Sequence, residues 1–228
     1  MSSLKDDLKA AWHLALPVAL GYVAIGLPCG IMESQAGLTW WEALLLSATF
    51  YSGAGQFMMS SMAISGSSLP SMIGSVSLVS SRQVLYSASF SQYFSDVSKP
   101  LAALFSATVT DESFGVNLEA FETDPTWTPK KATIVNLMCM SSWAFSNAIG
   151  CAIGPIIDLP VDVMSFAMTA IFICLLVGQK WNSTTIVVVI GAVVGVYVCK
   201  LIGLSGVAVL LGSIVGILAG LAKEAIFK

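Results

Sequence analysis

The chain has 228 residues, of which 56% are hydrophobic and 10% are charged, with a formal net charge of −3. A soluble domain usually carries about 25% charged residues, so this composition predicts an integral membrane protein with no sizeable soluble domain. Ten Lys and Arg residues against thirteen Asp and Glu residues leave no basic patch, which excludes a nucleic-acid-binding protein.

Charge-poor runs predict an all-α integral membrane protein with about eight transmembrane helices, because a helix needs about 20 apolar residues to cross a bilayer. The predicted spans are residues 12–32, 40–61, 69–90, 100–119, 132–157, 160–179, 183–199 and 201–222. The first uncharged run is too long for the h-region of a signal peptide, so we expect an uncleaved first span. These spans form a single membrane domain over residues 1–228.

The polar connection from Glu119 to Lys131 divides this domain into four-span halves, about residues 1–119 and 132–228. We find no repeat strong enough to identify the halves as duplicates, so an inverted repeat stays an open question. If the amino terminus is cytoplasmic, the lysines near the span ends follow the positive-inside rule. The cytoplasmic side then receives Lys5, Lys9, Lys130, Lys131, Lys180, Lys223 and Lys228, and the outer side receives Lys99 and Lys200. We therefore expect both termini, and the connection between the halves, to be cytoplasmic.

The cysteines and the single histidine, His13, do not form the pattern of a metal, redox or haem site, and we expect no cofactor. All five cysteines lie in apolar runs without Cys-x-x-Cys spacing, which favours a packing role. They are Cys29, Cys139, Cys151, Cys174 and Cys199.

Two stretches predict discontinuous helices in the first half of the chain. Gly26-Leu27-Pro28-Cys29-Gly30 lies in the first span, and Gly53-Ala54-Gly55-Gln56 lies in the second. Gly and Pro disfavour a regular helix, and a break exposes N–H and C=O groups that can bind a carboxylate and an ammonium group. The alternative for both stretches is a packing notch or kink. The Gln56 amide favours a break in the second span, because it needs polar partners at that depth.

Three charged residues lie at membrane depth, namely Arg82 in the third span and Asp111 and Glu112 in the fourth. A guanidinium there costs about 2.5 to 3.5 kcal/mol unless it is paired or hydrated. Adjacent helical residues point about 100° apart, so we expect one acid to hold Arg82 and the other to bind substrate or a proton. The alternative is a purely structural ion pair. Tyr86 lies one turn after Arg82 on the same helix face, so both side chains can contact one ligand.

Glycines at four-residue spacing line one face of the seventh span and one face of the eighth. Small residues let helices approach closely, so we interpret these faces as internal packing, with a partner interface as the alternative. The residues are Gly191, Gly195, Gly212, Gly216 and Gly220.

Three segments resemble the signature stretches of the AzlC family of branched-chain amino acid exporters. They are Tyr51-Ser52-Gly53-Ala54-Gly55-Gln56-Phe57, Ser81-Arg82-Gln83-Val84-Leu85-Tyr86-Ser87-Ala88-Ser89 and Thr110-Asp111-Glu112-Ser113-Phe114. The resemblance extends from about Leu16 to Ala222. It implies export of neutral aliphatic amino acids such as valine, leucine and isoleucine, with methionine as a further candidate, together with a small AzlD-like membrane subunit.

One motif departs from the family pattern. The family commonly has Asn-x-Arg-His where this chain has Ser80-Ser81-Arg82-Gln83. Replacing the imidazole by an amide removes a titratable group, so a coupling mechanism that depends on that histidine is not expected here.

These patterns together predict a secondary transporter in the bacterial cytoplasmic membrane, not an enzyme. No ATP-binding motif is present, so its energy must come from a gradient or from another chain, and we expect proton antiport. Export of branched-chain amino acids is what the family resemblance implies. The substrate carboxylate would meet Arg82 or the N–H groups of Gly53 to Gly55, and the ammonium would meet Asp111 or Glu112; the acid not tied to Arg82 would carry the proton. The expected substrate-binding residues are Gly53, Gly55, Gln56, Arg82, Tyr86, Asp111 and Glu112.

Three alternatives stay open. A channel or passive pore for small polar solutes could use the same polar centre. An intramembrane enzyme could use the two acids, but it would also need a nucleophile or metal that the sequence does not identify. A membrane scaffold is the third.

Overall fold

A computed structural model describes residues 4–157, 160, 163, 166, 169–170, 173, 176–177, 181–203 and 208–226. Regular structure in these residues is helical, which confirms the all-α prediction. The helices are α1 (Leu4–Gln35), α2 (Trp40–Thr49), α3 (Gly53–Ile64), α4 (Leu69–Ser80), α5 (Arg82–Ser89), α6 (Lys99–Thr108), α7 (Asp111–Thr123), α8 (Pro129–Ile153), α9 (Ser183–Leu201) and α10 (Ala208–Ile226), with short 3₁₀ turns at Ser91–Tyr93 and Gly154–Ile156. The sixth predicted span, residues 160–179, lies largely outside the described residues, as do Cys174, Lys180 and Lys228.

Three described helical segments are long and apolar enough to cross a membrane, which agrees with a multi-pass membrane protein. They are Leu4–Gln35, Pro129–Ile156 and Ser183–Leu201. The total of eight spans stays a prediction. The described cysteines, Cys29, Cys139, Cys151 and Cys199, are buried and free, in keeping with a packing role.

The second, third and fourth predicted spans each consist of two helices separated by a break. The first break is Phe50–Ser52, between α2 and α3; the second is Ser81, between α4 and α5; the third is Val109–Thr110, between α6 and α7. The six helices have 8 to 13 residues each. At 1.5 Å per residue each covers about half of a bilayer core. The predicted discontinuity of the second span is confirmed.

The first span is continuous, so the predicted break at Gly26 to Gly30 is wrong. Helix α1 runs from Leu4 to Gln35 and includes Pro17 and Pro28. The glycines instead permit close packing against α8. A Cβ atom at Gly30 would lie 2.0 Å from the backbone oxygen of Asn147, and a Cβ atom at Gly150 would lie 2.2 Å from that of Leu27.

Helices α1 and α8 run parallel and form the central pair of the fold. Near their amino ends, Lys130 Nζ lies 3.1 Å from the carboxylate of Asp7. Further along, Ser146 Oγ donates to the backbone oxygen of Tyr22 over 3.2 Å. At the other end, a Cβ atom at Gly154 would lie 2.6 Å from the Cβ atom of Ser34. The parallel direction agrees with three crossings between α1 and α8.

The chain separates into two compact units, Met1–Ala170 and Ile171–Lys228. The second unit contains α9 and α10 as an antiparallel hairpin. A Cβ atom at Gly195 would lie 2.9 Å from the Cα atom of Gly212, and one at Gly216 would lie 2.7 Å from the backbone oxygen of Val188. The glycine faces therefore pack against each other, as expected. The predicted eighth span began at residue 201, whereas Leu201 is the last residue of α9 and the described part of α10 is Ala208–Ile226. The division into four-span halves stays a prediction.

Candidate functional site

The three helix breaks meet at one place in the first unit. Gln83 Nε2, after the second break, donates to the backbone oxygen of Tyr51 in the first break over 2.9 Å. Arg82 Nη1, also after the second break, lies 2.9 Å from Asp111 Oδ2 at the third break. Side chains of the short helix α5 therefore connect the other two breaks.

Helix ends of both polarities lie at these breaks. Helices α3 and α7 begin there, and α2 and α6 end there. Helix amino ends carry a partial positive charge and carboxyl ends a partial negative charge. Ser52 accepts a hydrogen bond from Gly55 N over 3.3 Å, and Thr110 N donates to Ser113 Oγ over 2.9 Å, so both new helices have local caps. The arrangement can bind a molecule that carries both charges.

Asp111, and not Glu112, is the acid that holds Arg82. The side chains of this pair are 30% and 16% exposed, so the pair is only partly shielded from solvent. Tyr86 lies beside Asp111, and its ring packs against Phe114 at 4.9 Å between centroids. The structure therefore brings Arg82, Tyr86 and Asp111 together, as their spacing predicted. Their role in binding substrate stays a prediction.

Glu112 has a different partner. The hydroxyl of Tyr22, on α1, donates to Glu112 Oε2 over 2.6 Å and lies 2.6 Å from Thr110 Oγ1. The ring of Tyr22 is buried and contacts Tyr51 at 6.3 Å and Trp143 at 5.5 Å, both edge to face. Glu112 thus accepts a hydrogen bond from a neutral hydroxyl, at a position where aromatic rings from three elements meet.

The amide of Gln56 is fully buried and holds the first break in place. Its Oε1 atom accepts from Trp143 Nε1 over 2.9 Å and from Ser47 Oγ over 3.2 Å. Its Nε2 atom donates to the backbone oxygen of Phe50 over 2.6 Å. Gln56 therefore donates to the Phe50 carbonyl, which also accepts from Ser52 N over 3.0 Å, and Gln83 donates to the carbonyl of Tyr51. In this conformation Gln56 supports the break, and its predicted contact with substrate is untested.

The two glycines at the start of α3 have different surroundings. A Cβ atom at Gly55 would lie 2.8 Å from both Ser52 Oγ and the ring of Phe50, whereas one at Gly53 would lie 3.4 Å from the ring of Trp143. The first helical hydrogen bond of α3 is from Gln56 N to the backbone oxygen of Ser52, at 2.8 Å. The N–H group of Gly53 thus precedes the hydrogen-bond ladder of α3.

Several residues of this site were not identified from the sequence. Thr110 followed by two acids is the signature of a helix amino end, and it could have indicated the third break. Tyr22 and Trp143 carry no such signal, because a single aromatic residue in an apolar span is ordinary. Their importance follows only from the packing of α1 and α8 against the breaks.

A cavity of about 500 Å³ lies between the amino-terminal part of α1 and the carboxyl-terminal part of α7. Its polar lining includes His13, Glu119, Thr123 and Asp124. Glu119 and Thr123 are seven and eleven residues after Glu112 and so lie close to its face of α7. Hydrogen bonds from Thr126 hold the pKa of Asp124 below its usual range, so the cavity carries negative charge at neutral pH. At 1.5 Å per residue, Glu119 lies about 10 Å from Glu112 along the helix.

Comparison with known proteins places these elements in a family. The family model described as AzlC protein matches residues 17–157, which include all three breaks. An uncharacterized membrane protein of Helicobacter pylori is 31% identical over 192 residues, covering 79% of this chain and 80% of the relative. The Escherichia coli inner membrane protein YgaZ is 26% identical, covering 91% and 86%. The Bacillus subtilis branched-chain amino acid transport protein AzlC is 23% identical, covering 78% and 70%. No solved structure matches the chain.

Proposed function

The chain belongs to the AzlC family of membrane transport proteins, and we propose that it is a secondary transporter that exports branched-chain and other neutral aliphatic amino acids. The observation that carries this proposal is the meeting of three helix breaks beside one buried tyrosine, Tyr22. Interrupted helices at membrane depth are tolerated where they line a solute site. The name of the Bacillus subtilis relative supports the class of substrate.

The contacts at the breaks support a role for each part of an amino acid. Because Asp111 already neutralises Arg82, the substrate carboxylate binds first at the amino end of α3, near Gly53. Arg82 is the second anion-binding group, available when its bond to Asp111 opens. The substrate ammonium group binds Glu112, and its aliphatic side chain packs against the rings of Tyr22 and Trp143.

Proton antiport is the coupling that this arrangement supports. Glu112 is bonded to a neutral hydroxyl and is not held by Arg82, so it can exchange a proton for the substrate ammonium. The cavity beside Glu119 lies along the carboxyl-terminal part of α7, between Glu112 and the predicted cytoplasmic end of the helix. We place the entry of substrate from the cytoplasm at this cavity, about 10 Å along α7 from Glu112.

The remaining parts of the proposal concern location and partner. The protein lies in the bacterial cytoplasmic membrane with both termini in the cytoplasm, as the lysine distribution predicts. A relative is named as an inner membrane protein, which supports this location. A small AzlD-like membrane subunit completes the transporter, as the family resemblance implies.

Counterflow of labelled leucine in proteoliposomes tests the proposal, with and without the small subunit. We expect saturable exchange that unlabelled valine and isoleucine inhibit. In Glu112→Gln, we expect exchange to be weakened, because the substrate ammonium loses its carboxylate partner, and accumulation driven by a pH gradient to be lost. Glu122→Gln is the matched control, since this acid of α7 is exposed and is not part of the lining of the cavity. Conductance without saturation would indicate a channel instead, and absence of exchange for every aliphatic amino acid would overturn the proposal.

A further inference from the structure

A second acid, Glu33, is buried at a distance from the three breaks, and no cation of the described residues pairs with it. Its side chain is 0% exposed and lies in the last turn of α1, eleven residues after Tyr22. At 1.5 Å per residue, this places it about 16 Å from Tyr22 along the helix. The cavity lies toward the opposite end of α1, beside His13. Glu33 therefore belongs to neither feature.

The hydrogen bonds of Glu33 do not compensate a negative charge. Its Oε1 atom is 3.9 Å from the Cys29 thiol, which is a weak donor. Its Oε2 atom is buried and has no hydrogen-bond partner in the described part of the chain. On the facing helix α8, Asn147 Oδ1 is also buried, and the same residues supply it with no partner. The seam between α1 and α8 therefore holds two buried oxygen atoms that can accept a hydrogen bond.

The charges around Glu33 also disfavour its ionised form. Of the residues that the structure describes, the titratable groups that face it are the thiols of Cys29 on α1 and Cys151 on α8. Glu42 on α2 acts on the same Cys151 thiol and adds a further acid, not a cation. The carboxyl end of a helix carries a partial negative charge, which opposes an ionised acid in its last turn. An isolated carboxylate there is much costlier than its neutral form.

We propose that Glu33 is a second proton-binding site and that it holds a proton in this conformation. Its ligand is a proton that enters from the end of α1 opposite to the cavity. In a transporter that exchanges protons for amino acids, Glu33 would take up the proton before it reaches the breaks at Glu112. This coupling role rests on the proposed function, whereas the protonation of Glu33 does not.

Infrared spectroscopy of the protein in lipid bilayers tests the protonation directly. We expect the wild type at neutral pH to show absorption from a protonated carboxyl group that Glu33→Gln lacks. Glu42→Gln is the matched control, because Glu42 accepts hydrogen bonds from Thr39 at the positive end of α2 and is expected to be ionised. The variant Glu112→Gln shows which part of the carboxyl absorption, if any, comes from Glu112 and not from Glu33. A spectrum unchanged in Glu33→Gln would overturn the proposal.

A second variant covers the case in which Glu33→Gln does not fold. Glu33→Met removes the acid but preserves an apolar side chain of similar length. A neutral acid predicts an unfolding temperature that is unchanged or raised, since the variant loses only a weak contact with Cys29. A marked fall in the unfolding temperature would mean that Glu33 is an ionised carboxylate that stabilises the fold, which contradicts the proposal.

Transport assays then test the coupling role. We expect Glu33→Gln to retain leucine counterflow and to lose accumulation driven by a pH gradient. Equal loss of both activities, or retention of gradient-driven accumulation, would exclude Glu33 from coupling. If the wild type showed no counterflow, the proposed function would fail, but the infrared result would still decide whether Glu33 binds a proton.

Discussion

Arg82 Nη1 lies 2.9 Å from Asp111 Oδ2, and this ion pair joins the helix that follows Ser81 to the helix that follows Thr110. Both residues are the first of their helices. An acid at that position is stabilised by the partial positive charge of the helix end, and an arginine there is opposed by it. The negative charge of Asp111 therefore offsets both the charge of the guanidinium and the unfavourable placement of Arg82 at a helix amino end.

Removing one member of this pair should destabilise the protein more than removing both. The cost of Asp111→Asn should be about 2 kcal/mol, between the values for exposed and for buried pairs, because the side chains are partly exposed. The double variant Arg82→Gln with Asp111→Asn should recover part of that loss. A double-mutant cycle of unfolding free energies measures the coupling. Strictly additive single effects would show that the pair contributes nothing.

Gln56→Leu should be strongly destabilising, because it leaves the buried Trp143 Nε1 without its acceptor and removes one of two hydrogen bonds to the backbone oxygen of Phe50, which then keeps only Ser52 N. Each buried group left unsatisfied costs about 1 to 3 kcal/mol. The same substitution at the exposed Gln92 is the control and should have little effect. Thermal unfolding in detergent measures both. Equal unfolding temperatures for the two variants would contradict the bridging role of Gln56.

The two glycines that begin α3 should respond differently to alanine. At Gly55 the new methyl group would displace Ser52 Oγ, which accepts from Gly55 N, and the ring of Phe50. At Gly53 it would meet only ordinary contact with Trp143. We therefore expect Gly55→Ala to reduce leucine exchange and stability, and Gly53→Ala to be milder in both. The opposite order would show that Ser52 does not hold the first break.

Alanine scanning of α1 tests the packing between α1 and α8. Gly30→Ala would place a methyl group 2.0 Å from the backbone oxygen of Asn147, so the helices must move apart. Such overpacking costs about 1 to 3 kcal/mol. Gly21→Ala, in the same helix, meets nothing within 4 Å and should be neutral or stabilising, since Ala favours helix. Unfolding temperatures compare the two, and a neutral Gly30→Ala would contradict the close contact.

The sequence predicts the helical membrane class and the first break, because both depend on local composition. It also predicts that one acid pairs with Arg82, because an unpaired guanidinium is costly at membrane depth. It does not distinguish a break from close packing at Gly26 to Gly30. Glycine serves both purposes, and the choice depends on Gly150 and Asn147 of α8, more than a hundred residues away.

The third break shows a different limit. The acids of Thr110-Asp111-Glu112-Ser113 suggested partners for Arg82, and this interpretation placed them inside a continuous span. The same four residues also carry the signal of a helix start, with Ser113 Oγ bonded to Thr110 N. The role of Tyr22 cannot be predicted from one sequence, because it depends on the hydrogen bond between its hydroxyl and Glu112 of α7.

The first and third breaks also have a mechanical consequence. The hydrogen-bond ladder stops at Phe50–Ser52 and at Val109–Thr110, so α2 and α6 are each attached to the following helix by a pivot of two or three residues. Both breaks lie beside Tyr22 of the continuous helix α1, which contacts Tyr51 in one and Thr110 in the other. Small tilts of α2 and α6 can therefore open a passage on one side while α3 and α7 stay in place. Such a gate needs neither helix to unwind.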